Sequence, residues 1–371
     1  MIGVGRIRMD EYKINIRLTK VGMKLSQSVY DKSQTLLIAK DVELTAKMIM
    51  QLKFCGIEEV WVKGKNLGKQ WNELEEEVVL PVHIEKIKDT PVFKHFSEAH
   101  HEVVESIKED INGVILNNKE IDVQALIDEI NNILSQVTNN IQIFDMLQCI
   151  RAYDDSTYIH SVNVGLICNV MGKWLHFNEV DIEVLTVCGV LHDIGKLMMP
   201  SNIIKKAGKL TQGEYVTIQT HPYIGYGLLK DKNIDERIKK AVLQHHEKCD
   251  GTGYPSGLKR EEIEDFAKVV TIADVYDAMT ADRVYRQGVC PFDVIDIFEQ
   301  EGFQKYDPDY LLTFLKHIAE SYINKPVQLS DNREGQIIML NQNKLSRPVV
   351  KVGKDYIDLL QEKNLSIAKI L

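Results

Sequence analysis

Two short runs in this sequence set imidazoles beside carboxylates and lysines, and a third sets carboxylates in an otherwise apolar stretch. They are LHDIGKL around residue 192, QHHEKCDGTGYP from residue 244, and VVTIADVYDAMTADRVYR from residue 269. Two further histidines belong with them by context: His160 in STYIHSVNVGLI, and His221 at the head of HPYIGYGLL, where Pro222 suits a first helical position. Taken singly, each residue has an ordinary explanation. His192, Asp193 and Lys196 could be a polar helix end with an Asp–Lys pair, His160 a satisfied core histidine, and His221 a helix cap. An acid at a core-facing position is nevertheless costly unless it is paired or bound to metal, and Asp193 and Asp274 both sit in apolar helical stretches.

Together the seven residues His160, His192, Asp193, His221, His245, His246 and Asp274 make a ligand set. Imidazole plus carboxylate suits iron, manganese, zinc or cobalt, whereas calcium asks for oxygen alone. Seven donors exceed what one ion takes and match two ions bridged by a carboxylate. Asp193, embedded beside a histidine ligand, is the natural bridge. Lys196, three residues after Asp193, would share its helical face and bring a cation to the same pocket. His245 and His246 are adjacent, so on a regular helix they would point about 100° apart. They would then serve different metals, unless the helix end bends to bring both in.

These residues must be carried by helices. From about residue 92 to 322 the apolar positions recur with the 3.6-residue rhythm, in stretches such as FSEAHHEVVESIKEDI, DVQALIDEINNILSQV and VDIEVLTVCGVLHDIGKL. Before them, residues 23–30, 35–40 and 57–62 read as strands and 43–56 as a helix. After them, KPVQLSDNREGQIIMLNQNKLSRPVVKV alternates apolar and polar residues around turns. The expected architecture is mainly α. A small α/β domain (1–65) leads through a connector with helices (66–135) to a helical core (136–322) and a short β appendage (323–371).

Composition narrows the field. Of 371 residues, 45 are basic and 54 acidic, a formal net charge of −9, which argues against a non-specific nucleic-acid binder or a protein held on anionic membrane. Any anionic ligand must be held by local cations. Six cysteines, Cys55, Cys149, Cys168, Cys188, Cys249 and Cys290, form no CxxC pair and read as reduced core thiols. No apolar run approaches membrane-spanning length and the N-terminus lacks a signal-like core, so the expected location is cytoplasmic. Trp61 and Trp174 read as core anchors. Gly251, Gly253 and Pro255 would shape a tight loop that also borders the pocket.

HDIGK, a downstream His-Pro, HHExxDGxGYP and ADxYDAMTxDRxYR, in that order and spacing, resemble the HD-GYP family, a branch of HD-domain metal phosphohydrolases that hydrolyses cyclic di-GMP. The resemblance runs from His160 to Arg286. Residues 14–62 also look like a small domain found ahead of HD-GYP domains. What the resemblance implies is a ligand set of His160, His192, Asp193, His221, His245, His246 and Asp274, bridged by Asp193. Lys196 would stand beside the scissile phosphate, Asp277, Arg283 and Arg286 would contact the dinucleotide, and Tyr254 would belong to the GYP loop. Family members with three metals carry a glutamate four residues before the first histidine. Ser156 stands there, so two divalent ions, iron or manganese, are implied. A metal-activated hydroxide would open cyclic di-GMP to the linear dinucleotide and/or GMP. Alternatives are a non-hydrolytic sensor or a phosphodiesterase for another cyclic dinucleotide. A homodimer or signalling proteins are conceivable partners.

Overall fold

The computed structural model describes residues 87–137, 142–150, 157–204, 210–281 and 289–371, Lys206, and, nearer the N-terminus, most of 11–63. Ser156, Arg283 and Arg286 lie outside the described residues, as does most of the stretch expected to be helical over 43–56. The chain divides into two compact units, Met1–Val79 and Leu80–Leu371.

In the first unit β1 (Glu11–Asn15), β2 (Lys24–Leu25) and β5 (Glu59–Lys63) form an antiparallel sheet in the order β1-β5-β2, while β3 (Val29–Tyr30) pairs with β4 (Leu36–Ile38). A separate apolar core gathers Leu25, Ile38, Leu52, Val60 and Val62. Strand alternation decides the fate of Trp61. With Val60 and Val62 turned inward, their neighbour must face outward, and Trp61 is 37% exposed rather than a core anchor.

The second unit is helical, as the apolar rhythm predicts. Its elements are α1 (Pro91–Asn117), α2 (Val123–Ser135), α3 (Gln142–Ile150), α4 (Thr157–Trp174), α5 (Glu179–Leu191), α6 (Ser201–Ile204), α7 (Gln212–Ile218), α8 (His221–Leu229), α9 (Glu236–Gln244), α10 (Asp265–Thr280), α11 (Pro291–Ile297), α12 (Phe303–Lys305) and α13 (Pro308–Glu320). Side chains cap the helix starts: Thr90 and Asn178 accept from the backbone N–H groups of Phe93 and Asp181, and Thr211 with Glu214 forms a reciprocal capping box. Helices α4 and α10 are apolar on nearly every face. Residues 161–172 of α4 are buried without a break, so this helix runs through the middle of the core.

The last strands, β6 (Pro326–Leu329), β7 (Glu334–Met339), β8 (Val349–Val352), β9 (Asp355–Asp358) and β10 (Ile367–Ile370), form one antiparallel sheet in the order β10-β6-β7-β8-β9. Its inward residues Val327, Leu329, Ile337 and Val350 belong to the same apolar cluster as the helices. Trp174 does anchor the core, stacked between Phe144 at 5.5 Å and His317 at 4.7 Å. Cys149, Cys168, Cys188, Cys249 and Cys290 are free thiols. No helix among the described residues is long and apolar enough to cross a membrane.

Candidate metal centre

The expected single helix through LHDIGKL is broken. Helix α5 ends at Leu191, His192 caps it, and a 3₁₀ turn spans Ile194–Met198. A 3₁₀ turn eclipses positions three apart, which brings the Lys196 ammonium to 2.6 Å from Asp193 Oδ2. The break also lets another helix in. A Cβ on Gly195 would lie 2.0 Å from the carbonyl oxygen of His221 and 2.6 Å from the Gly225 nitrogen, so only glycine lets α8 come this close. That approach puts His221 beside Asp193.

Asp193 is buried and its two oxygens face different ways. Oδ1 lies 3.3 Å from His221 Nε2 and 3.5 Å from His245 Nε2. Oδ2 lies 3.3 Å from His192 Nε2 and 3.7 Å from His160 Nε2. Asp274, buried on α10, reaches His160 Nε2 at 3.0 Å through Oδ1 and His246 Nδ1 at 3.9 Å through Oδ2. The residues thus sort into two compact groups of potential ligands: Asp193, His221, His245 and His246 in one, His160, His192 and Asp274 in the other. His245 and His246 come together, with ring centroids 4.2 Å apart, because α9 stops at Gln244 and the chain bends there.

Three imidazoles are aimed by the backbone. His192, His221 and His245 hold the carbonyls of Gly189, Ile218 and Val242 at 2.7, 2.7 and 2.9 Å from Nδ1. A carbonyl only accepts, so each Nδ1 carries a proton and each Nε2 is the atom turned to the centre, where it can offer its lone pair to a metal. His221 Nε2 and His245 Nε2 are 3.1 Å apart beside a carboxylate oxygen, so these atoms converge on one point. His192 Nε2, Asp193 Oδ1 and His246 Nε2 are buried with no hydrogen-bond partner among the described residues. Leaving such groups unmet costs roughly 1–3 kcal/mol each. Converging lone pairs, orphaned polar atoms and a nitrogen–oxygen donor set fit divalent metal ions.

The electrostatics agree. Burial would raise both carboxyls, yet His192 and Lys196 hold Asp193, and His160 holds Asp274, well below the usual carboxylate range. Both are ionised. Burial pushes His245 down to about 4 and lowers His246 strongly, so both are neutral donors. His160 goes the other way: burial would depress it, but Asp274 and Asp277 raise it to about 10.

Asp277 was expected among the dinucleotide contacts. In the structure it is buried, its Oδ2 2.7 Å from His160 Nδ1. That is the place of a carboxylate that orients a ligating histidine, and the three-residue spacing from Asp274 on one helix is the signal that marks it. Tyr254 stacks on His246 at 4.6 Å. The loop around it is drawn in by Glu247, whose carboxylate accepts from the N–H groups of Ser256 at 2.7 Å and Leu258 at 2.9 Å. Asp250 accepts from the Thr252 N–H. Gly251 has φ +82°, and a Cβ on Gly253 would lie 2.4–2.5 Å from the backbone of His246–Lys248. The loop lies directly against the histidine pair.

This chain is similar to known proteins over the segment that carries the centre. The HD domain family matches residues 125–310. A cyclic di-GMP phosphodiesterase of Pseudomonas aeruginosa is 32% identical over 234 residues, 62% of this chain and 56% of that protein. A cyclic di-GMP phosphodiesterase of Borreliella burgdorferi is 28% identical, over 57% of this chain and 59% of that protein. A 3′3′-cGAMP-specific phosphodiesterase of Vibrio cholerae is 34% identical, over 42% of this chain and 36% of that protein. The chain thus spans between a third and three-fifths of the length of these relatives. The matched segment carries the histidines and aspartates described above, on the helices that bring them together, and the chain belongs to the HD domain family.

Proposed function

We propose that this protein is a metal-dependent phosphodiesterase that hydrolyses cyclic di-GMP, to the linear dinucleotide and/or GMP, at a centre of two divalent ions, iron or manganese. The observation that carries the reading is Asp193, one carboxylate with its oxygens turned to two different histidine groups. In this assignment His221, His245 and His246 would hold one ion, His160, His192 and Asp274 the other, with Asp193 available to both. Two such ions, when bound, would supply an acidic water for attack near neutral pH and positive charge to neutralise the phosphodiester.

The chain's own groups do the rest. The Gly189, Ile218 and Val242 carbonyls keep the Nδ1 protons of three histidines and so keep their Nε2 atoms as ligands. Asp277 does the same for His160 and is here assigned that orienting role. Lys196, next to Asp193, offers its ammonium to phosphate oxygens as negative charge gathers on them in the transition state. Tyr254 and the loop held by Glu247 wall the site beside His246. Arg283 and Arg286, three apart in the sequence, are assigned to the second phosphate or a guanine edge.

The test is metal analysis together with hydrolysis of cyclic di-GMP by protein reconstituted anaerobically with iron or with manganese. Stoichiometric binding of two ions and turnover are expected. Asp193→Ala should lose both, and its retaining metal and turnover would exclude the bridge. Binding without cleavage in fully loaded protein would make the chain a sensor. The likeness to a relative named for 3′3′-cGAMP motivates a second reading, cleavage of that dinucleotide, decided by comparing kcat/KM for the two substrates.

A further inference from the structure

The bend that brings His245 and His246 together leaves carbonyls to be met, because α9 ends at Gln244 and its ladder of hydrogen bonds stops. The N–H four residues past His245, that of Cys249, donates elsewhere, to the Lys305 carbonyl at 2.8 Å. On either side of His245 the backbone serves itself: the Gln244 carbonyl accepts from Glu247 N–H at 2.8 Å and the His246 carbonyl from Tyr254 N–H at 3.2 Å. The carbonyl between them takes a side chain. The Thr271 hydroxyl on α10 lies 2.7 Å from the His245 oxygen, and both residues are buried.

A threonine inside a helix has an ordinary use for its hydroxyl, the carbonyl one turn back, and Thr271 Oγ1 is also 2.7 Å from the Ala267 carbonyl. In a regular α-helix that carbonyl already receives the Thr271 N–H, so the His245 carbonyl is the acceptor left in need. Its direction matters to the site. The His245 carbonyl belongs to the planar peptide that joins the two histidines. Pinning its oxygen fixes ψ of His245 and φ of His246 together, and with them the angle between the two rings. The start of α10 is tied to the same helix end, Gln244 Oε1 accepting from Glu264 N–H at 2.7 Å. Glu264 and Thr271 are seven residues apart, on one face of the helix, and Asp274 follows one turn later. One helix thus sets the histidine pair of one ligand group against the carboxylate of the other.

We infer that Thr271 is a positioning residue of the metal centre. Its hydroxyl, donating to the His245 carbonyl, fixes the bend at which both adjacent histidines join Asp193 and His221, and so sets the affinity of that ligand group for its ion. The inference rests on the two-ion reading above and assigns the threonine to one ion of the two.

The experiment is a competitive chelator titration of manganese on the full chain, wild type beside Thr271→Val, Thr271→Ala and Thr271→Ser, with the thermal midpoint of the metal-free protein recorded for each. Valine keeps the shape and removes the hydroxyl. Alanine removes it without β-branching and carries the test where valine does not fold, while serine restores it. In the valine and alanine variants one ion should bind about ten- to a hundredfold more weakly, the usual order for losing a group that orients a ligand, and the other should keep its wild-type affinity. Serine should recover most of the loss. A role in stability alone would lower the thermal midpoint and leave both affinities unchanged, which overturns the assignment, as does an equal loss at both ions or a serine variant as weak as valine. A wild type that takes up fewer than two ions overturns the two-ion reading and the assignment with it, an outcome distinct from a failure confined to the variants.

Discussion

At the scale of single residues, this site works by directing lone pairs. Imidazoles whose Nδ1 protons are spent on backbone carbonyls turn Nε2 to the centre, and all five histidines belong to groups built around two carboxylates whose charge is secure despite burial. His160 is aimed by Asp277 instead of a carbonyl. Asp277→Asn keeps the shape but removes the anion, and should weaken metal binding by about ten- to a hundredfold. A competitive chelator titration measures this, and unchanged affinity would return Asp277 to the substrate side. Lys196→Met should act differently. Metal content should stay within error of wild type while kcat for cyclic di-GMP falls at least about a hundredfold, the usual order for removing one transition-state donor.

At the scale of elements, glycine and glutamate decide what the histidine pair sees. Helix α9 stops at Gln244, and the chain turns so tightly that Gly253 meets the backbone of residues 246–248. Glu247→Gln replaces an oxygen acceptor by an NH₂ facing a backbone N–H. It should release the loop, reduce the thermal midpoint by a few degrees, the order set by about 1–3 kcal/mol, and lower kcat/KM through Tyr254. Limited proteolysis near Gly257 reports the release, and an unchanged cleavage pattern would mean that Glu247 does not hold the loop. Helix α1 carries a second consequence. His100 is 3% exposed and bonded through Nε2 to Asn163 Oδ1 at 2.9 Å, and burial pushes it down to about 4 from 6.5. A folded-state value below the unfolded one means the unfolded chain binds the extra proton. The contribution of His100 is therefore fully present above pH 6.5 and is lost as pH falls toward 4, by at most about 3 kcal/mol. His100→Gln, which preserves a donor for Asn163, should flatten the fall in urea midpoint between pH 6.5 and 4.5. An acid limb as steep as that of wild type would assign the loss to other groups.

At the scale of the whole molecule, two units have two cores that share no residue. All seven candidate ligands lie in the second unit. Because ligand binding stabilises only the unit that binds, calorimetry should resolve two unfolding transitions, of which only one rises on adding metal. A single transition that moves as a whole would show the units unfolding together. The sheet that ends the chain is different in kind from the first unit, since its inward strands share the apolar cluster of the helices. Polar substitution at Ile337 should therefore destabilise the metal-responsive transition.

Much of this was legible in the sequence for a simple reason. Helical rhythm and acids set in apolar runs are local signals, and local signals survive without neighbours. The ligand set follows from residue type and order. Three things did not follow. The break after Leu191 depends on Gly195 admitting α8, a contact between positions twenty-six apart that no local pattern contains. Trp61 reads as a core residue by composition and faces outward by strand register. Asp277 has the same residue type whether it holds a ligand or a histidine, and its 2.7 Å contact with His160 is visible only in three dimensions. The sequence by itself determined which atoms could bind metal. The tertiary structure decided which way they point, because direction comes from backbone carbonyls and helix ends brought together from distant parts of the chain.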